Sequence, residues 1–135
     1  MTDYTNMNGK QDKNSTDRRR SLFVDVSFCK GTLNACIVGP RIGEREATIV
    51  ANAVNAKINE FGNSVTNLVL YFTDVQFVSS LGLGMCIDVR NTAENCNAET
   101  AIVGLTNHLK ELFEMMRLDR LFKIQSVKPT FGTAA

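Results

Sequence analysis

Leu68-Val-Leu-Tyr-Phe-Thr-Asp-Val-Gln-Phe-Val-Ser-Ser-Leu-Gly-Leu-Gly84 is the stretch around which the rest of the sequence arranges itself. Leu68 to Phe72 is an unbroken apolar run, the signature of a strand covered on both faces, since a strand with one wet face alternates with polar residues. It is expected at the centre of a sheet. A second apolar pair, Phe77-Val78, leads into two hydroxyls, Ser79 and Ser80, and then into Leu-Gly-Leu-Gly and a helical pattern from about Leu83 to Asn95. The serines are where that helix should start, because a serine oxygen can accept a bond from a first-turn amide that has no other partner. Gly82 and Gly84 remove side chains from the same turn. An exposed hydroxyl at the positive end of a helix is a natural control point.

Working outward, the 135 residues suffice for one domain with tails and a single core. Lys and Arg number 15 against 14 Asp and Glu, a formal net charge of +1, which gives no general attraction to nucleic acid or to an anionic membrane. No run reaches the roughly 18 apolar residues of a membrane span. The first twenty residues are polar, with no apolar core of a signal peptide, so a cytoplasmic location is expected. Residues 1–20 are too poor in large apolar side chains to offset the entropy of ordering and read as a disordered arm. Residues 21–127 read as the folded domain, and 128–135 as a flexible tail.

On the amino-terminal side of the central stretch, Leu22, Val24, Val26 and Phe28 alternate as in a strand, Lys30-Gly31-Thr32 makes a turn, and Leu33 to Val38 returns as a hairpin partner ended by Gly39-Pro40. Ala47, Val50, Val54, Ile58 and Phe61 recur at three and four residues, giving one amphipathic helix over Glu44 to about Phe61, stopped by Phe61-Gly62-Asn63-Ser64. The helix after the serines should turn Leu83, Cys86, Ile87 and Val89 or Arg90 inward. On the carboxyl side, Ala101 to Leu105 reads as a strand and Thr106 or Asn107 as a cap. Leu109, Leu112, Phe113 and Met116 form the clearest helical stripe in the chain, with Met115 and Met116 read as core filler, and Phe122 to Val127 offers a short last strand. Strands alternating with helices after a hairpin imply one α/β domain: a mixed, mainly parallel sheet of four to five strands with helices packed on it.

The chemistry of the residues is sparse. Gly82-x-Gly84 matches only part of a dinucleotide fingerprint, because Ile87 occupies the third glycine position, and no GxxxxGK[ST] loop exists. Asp74 at the end of the central strand lacks the paired acidic cluster and basic residue of a phosphoryl-accepting receiver site. Serine nucleophiles need a base, and the single histidine, His108, reads as a surface residue at the start of a helix. Cys29, Cys36, Cys86 and Cys96 show no metal-ligand spacing and read as buried reduced thiols. No enzyme activity, metal or cofactor is indicated by these patterns.

The Phe77-Val-Ser-Ser-Leu-Gly-Leu-Gly84 segment, the strand before it, and the later Leu-Phe-Glu-Met-Met-Arg-Leu-Asp-Arg-Leu-Phe resemble a STAS domain, the fold of bacterial anti-sigma factor antagonists, over about Leu22 to Ile124. That family usually reads Asp-Ser-Ser or Asp-Ser-Thr before Gly-Leu-Gly, and the serine after the aspartate is phosphorylated by a partner kinase that is also the anti-sigma factor. Here that serine is matched by Ser80, with Ser79 in the aspartate position and as second choice for the phosphate. Leu81 fills the next hydroxyl position, and Gly39-Pro40-Arg41-Ile42 stands where Gly-Glu-Leu-Asp is common. The resemblance implies a regulatory binding protein of signal transduction and transcription regulation that docks on an anti-sigma factor of serine-kinase type and is released by phosphorylation of Ser80. The expected partner-binding face is Ser79, Ser80, Leu81, Gly82 and Gly84 with Arg41 and Ile42. A STAS subunit or ligand sensor in a signalling or transport complex, without phosphorylation, is the alternative.

Overall fold

The computed structural model describes residues 17–20 and 22–126. The main sheet has six strands: β1 (Asp17–Arg20), β2 (Val24–Cys29), β3 (Thr32–Ile37), β5 (Asn67–Tyr71), β7 (Glu99–Val103) and β8 (Lys123–Gln125), side by side in that order. β1, β2 and β3 run antiparallel to their neighbours within this trio, whereas β3, β5, β7 and β8 are mutually parallel. Two short strands, β4 (Arg41–Ile42) and β6 (Phe77–Val78), pair in parallel outside it. The helices are α1 (Glu44–Phe61), α2 (Ser80–Glu94) and α3 (Asn107–Met115). The mixed, mainly parallel α/β architecture expected from the sequence is the one found.

The hairpin of β2 and β3 closes through Lys30 and Gly31, both at positive φ (51° and 84°), the geometry that matches the twist of two adjoining strands. α1 starts and stops where its periodicity predicts. Glu46 accepts a 3.0 Å bond from the Gly43 N–H at its start, and Gly62, at φ 54°, ends it with an amide bonded back to Ile58.

Across the sheet Val26, Ala35, Leu70 and Ile102 stand in register, all buried, with half-buried Ile124 continuing the row on β8. α1 and α2 lie over this face, packed against each other. The neighbouring row, Ser27, Asn34, Val69, Ala101 and Lys123, is half-buried or exposed. The expectation that Leu68 to Phe72 is covered on both faces is therefore corrected: Leu68, Leu70 and Phe72 are buried, but Val69 and Tyr71, on the other face, are only half-buried among the described residues. There the Tyr71 hydroxyl donates to Asn34 Oδ1 at 3.1 Å. Apolar residues on that side hid the alternation. α3 docks through Leu109 and Phe113, and the Phe113 ring meets Phe72 and Phe122 edge to face, with centroids 6.3 and 6.2 Å apart.

Several other expectations change. Residues 1–16 and 127–135, and so most of the predicted arm and the tail, lie outside the described residues. Asp17–Arg20, however, forms β1, because the backbone of β2 offers an open ladder to any extended segment whatever its side chains. Leu22 precedes β2 and is 64% exposed. Cys86 is buried, but Cys96 is half-buried and Cys29 and Cys36 are exposed. Met115 and Met116 are exposed rather than core filler, since α3 ends before their turn can reach the sheet.

Candidate functional site: the amino end of α2

Two loops meet where α2 begins. The Pro40 carbonyl accepts the N–H groups of Gln76 and Phe77 at 2.8 and 2.9 Å, and Ile42 accepts from the Ser79 N–H at 2.9 Å. These bonds, with the β4–β6 pair, bring the segment after β3 beside the serines. Arg41, 36 residues before Phe77 in sequence, places its guanidinium carbon 4.8 Å from the centroid of that ring.

The two serines are not equivalent. Ser79 is the cap: it holds an extended backbone, and its Oγ accepts from the Gly82 N–H at 3.1 Å. Ser80 is the first residue of the helix, exposed, and its hydroxyl makes no hydrogen bond among the described residues. Leu83 closes the first full turn on the Ser79 carbonyl at 3.0 Å. The amides of Ser80 and Leu81 precede that turn and have no acceptor within the helix. No acidic side chain occupies the first turn of α2, so its positive end is uncompensated on its own element.

The two glycines also differ. A Cβ on Gly82 would meet Val78 Cγ1 at 2.6 Å and the Ile42 carbonyl oxygen at 2.9 Å, so this glycine lets α2 press against β4 and β6. A Cβ on Gly84 would meet nothing within 4 Å. Of the expected face, then, Ser80, Leu81, Gly84 and Arg41 are exposed and Ser79 is half-buried, while Ile42 and Gly82 are buried. Ile42 and Gly82 build the face without belonging to its surface. Ile42 was misread because Arg41 and Ile42 point to opposite sides of a two-residue strand.

Sequence reading did not place two features that border the serines' helix. Phe77 is 45% exposed, the outward member of a pair whose inward member is Val78. A shallow groove of about 300 Å³ runs between α1 and α2, with Ala47, Ala51, Leu81 and Met85 in its lining and Glu44 and Asp88 as its charged members. Asp88 is tied to α1 by a 3.2 Å bond from Asn55 Nδ2. The alternation of a two-residue strand signals Phe77; the groove is a product of packing between helices and leaves no local signal.

His108 is exposed on α3, and among the described residues no group of three or more His, Cys, Asp or Glu side chains could hold a metal ion. Among the same residues no helix is long and apolar enough to cross a membrane.

A family model described as the STAS domain matches residues 20–134. The fold resembles the anti-sigma factor antagonist SpoIIAA in its unphosphorylated form, with a TM-score of 0.65 and 13% identity, covering 86% of this chain and 90% of that one. It also resembles the Bacillus cell fate determinant SpoIIAA in the phosphorylated form (TM-score 0.60, 12% identity, 86% and 94% covered). A murine solute carrier anion transporter in the inward-facing state matches at a TM-score of 0.57 and 17% identity, over 82% of this chain and 20% of the transporter. No curated protein matches the sequence significantly.

Proposed function

The chain belongs to the STAS-domain family, and from that premise we propose that it is an anti-sigma factor antagonist-type binding protein whose docking is switched by phosphorylation of Ser80. The observation that carries the reading is the division between the serines: Ser79 uses its oxygen for the cap, while Ser80 presents a free hydroxyl at the positive end of α2. Support for the general kind comes from the likeness to SpoIIAA, a protein described in both unphosphorylated and phosphorylated forms.

The mechanism is a charge switch. A phosphoserine carries about −1.5 to −2 charges, which the helix end and the free amides of Ser80 and Leu81 tolerate. A partner surface packed on the same hydroxyl does not, because the charge must lose water without a matched cation. The partner is an anti-sigma factor of serine-kinase type, met on the surface of Ser79, Ser80, Leu81, Gly84 and Arg41. Substituting serine for the usual aspartate at position 79 leaves the helix start intact, since both residues cap well. It removes one negative charge beside the acceptor. Capturing the kinase from a cell lysate on the immobilised chain, incubating the two with ATP and mapping the phosphate by mass spectrometry tests the assignment. Phosphate on Ser80 is expected; phosphate on Ser79 alone, or none, contradicts it.

A second reading rests on the same missing aspartate and on the likeness to one segment of an anion transporter: an unphosphorylated STAS subunit of a larger signalling or transport complex. In both readings the domain binds and does not catalyse. A cytoplasmic location accords with the first.

A further inference from the structure

Far along α2 from its serines, where β7 and β8 begin, the fold leaves a cavity of about 240 Å³. Its charged lining comes from four elements: Arg90 and Glu94 on α2, Glu99 on β7, Arg120 on the 3-10 turn Leu118–Arg120, and Lys123 on β8. That is three cations against two carboxylates. Arg90 Nη1 pairs with Glu94 Oε1 at 2.9 Å and Lys123 Nζ with Glu99 Oε1 at 3.0 Å, while Arg120 has no ion pair among the described residues. The Arg90 side chain is only 24% exposed, and its bonds to Glu94 and Asn91 leave further donors of a five-donor guanidinium open. In the same wall Thr100, 5% exposed, adds a buried hydroxyl oxygen that has no hydrogen-bond partner among the described residues.

We propose that this cavity binds a small oxyanion, the phosphate or carboxylate group of a compact ligand, through Arg90, Arg120 and Lys123. The size selects the class, because pockets for drug-sized ligands begin at roughly 300 Å³. The energetics favour exchange at the rim: Lys123 and Glu99 are 64% and 67% exposed, and an exposed pair of this kind contributes little, so Lys123 can turn from Glu99 to a bound oxyanion without appreciable loss. The planar guanidiniums of Arg90 and Arg120 in the same lining then offer paired donors, the geometry that suits phosphate and carboxylate. The site lies at the amino ends of the parallel strands, whereas the partner face lies at the start of α2, so occupancy by ligand and docking of a partner do not compete for the same atoms.

Titration of the full chain with sodium phosphate and with sodium acetate at constant ionic strength, followed by amide chemical shifts, tests the site. Saturable shifts centred on Glu99, Arg120 and Lys123 are expected with at least one of the two, and the tighter one identifies the oxyanion. Arg120→Ala should weaken binding at least tenfold, and Glu99→Gln, which removes a competing carboxylate, should tighten it several-fold. The spectra of both variants report their fold directly. Absence of saturation by either anion in the millimolar range, or an affinity unaltered by both substitutions in folded protein, overturns the proposal.

Discussion

Ser79 accepts the Gly82 amide and its neighbour Ser80 accepts nothing, so truncating each isolates a different property. Ser79→Ala should lower stability by about 1 kcal/mol through loss of the cap, and Ser80→Ala should change it by less than about 0.5 kcal/mol, both read from urea denaturation. Sequence reading expected a serine cap but could not say which serine, because either hydroxyl lies within reach of a first turn until the backbone of each is known. Cys86 offers a second test at this scale. Its burial pushes the thiol up from 9.0 to about 12, with a backbone hydrogen bond acting weakly the other way. The native state thus keeps a proton that the unfolded chain sheds, so its contribution to stability is complete below 9.0 and is lost as pH rises towards about 12. Wild type should lose stability relative to Cys86→Ala between pH 9 and pH 11 at up to about 1.4 kcal/mol per pH unit. Parallel pH profiles for the two proteins would contradict the assignment of the buried thiol.

Elements were legible in proportion to the regularity of their patterns. α1 was the more readable helix because five apolar positions, an acidic start and a terminal glycine all agree, although Phe61 is only half-buried and Lys57 is buried. α2 was harder: Leu83, Cys86 and Val89 are buried as expected, but Met85 is buried beside them and Ile87 only half-buried, while Gly82 brings the helix close to β4 and β6. That close approach predicts opposite outcomes for the two glycines. Gly82→Ala forces a methyl against Val78 and the Ile42 carbonyl and should destabilise by roughly 1–3 kcal/mol. Gly84→Ala enters open space on a helix and should stabilise by up to about 1 kcal/mol. Thermal unfolding of the pair checks both signs. β1 was illegible for a different reason: an edge strand is held through its backbone, and no apolar period marks it.

At the scale of the molecule, the parallel β3, β5, β7 and β8 carry α1 and α2 on one face, and the segment from β5 through β6 places α2's amino end beside the loop from β3. The fold was readable because alternating strands and helices allow few topologies. The site was readable only in part: the residues that touch solvent could be separated from those that hold them, such as Ile42 and Gly82, only once the β4–β6 pair was known. The central claim is that a charge on Ser80 blocks docking while the fold stays intact. Calorimetric titration of Ser80→Asp and Ser80→Ala against the captured anti-sigma kinase is its most direct test. The account predicts at least tenfold weaker binding for Ser80→Asp, about 1.4 kcal/mol, and near wild-type binding for Ser80→Ala. Equal affinities for the two folded variants would contradict it.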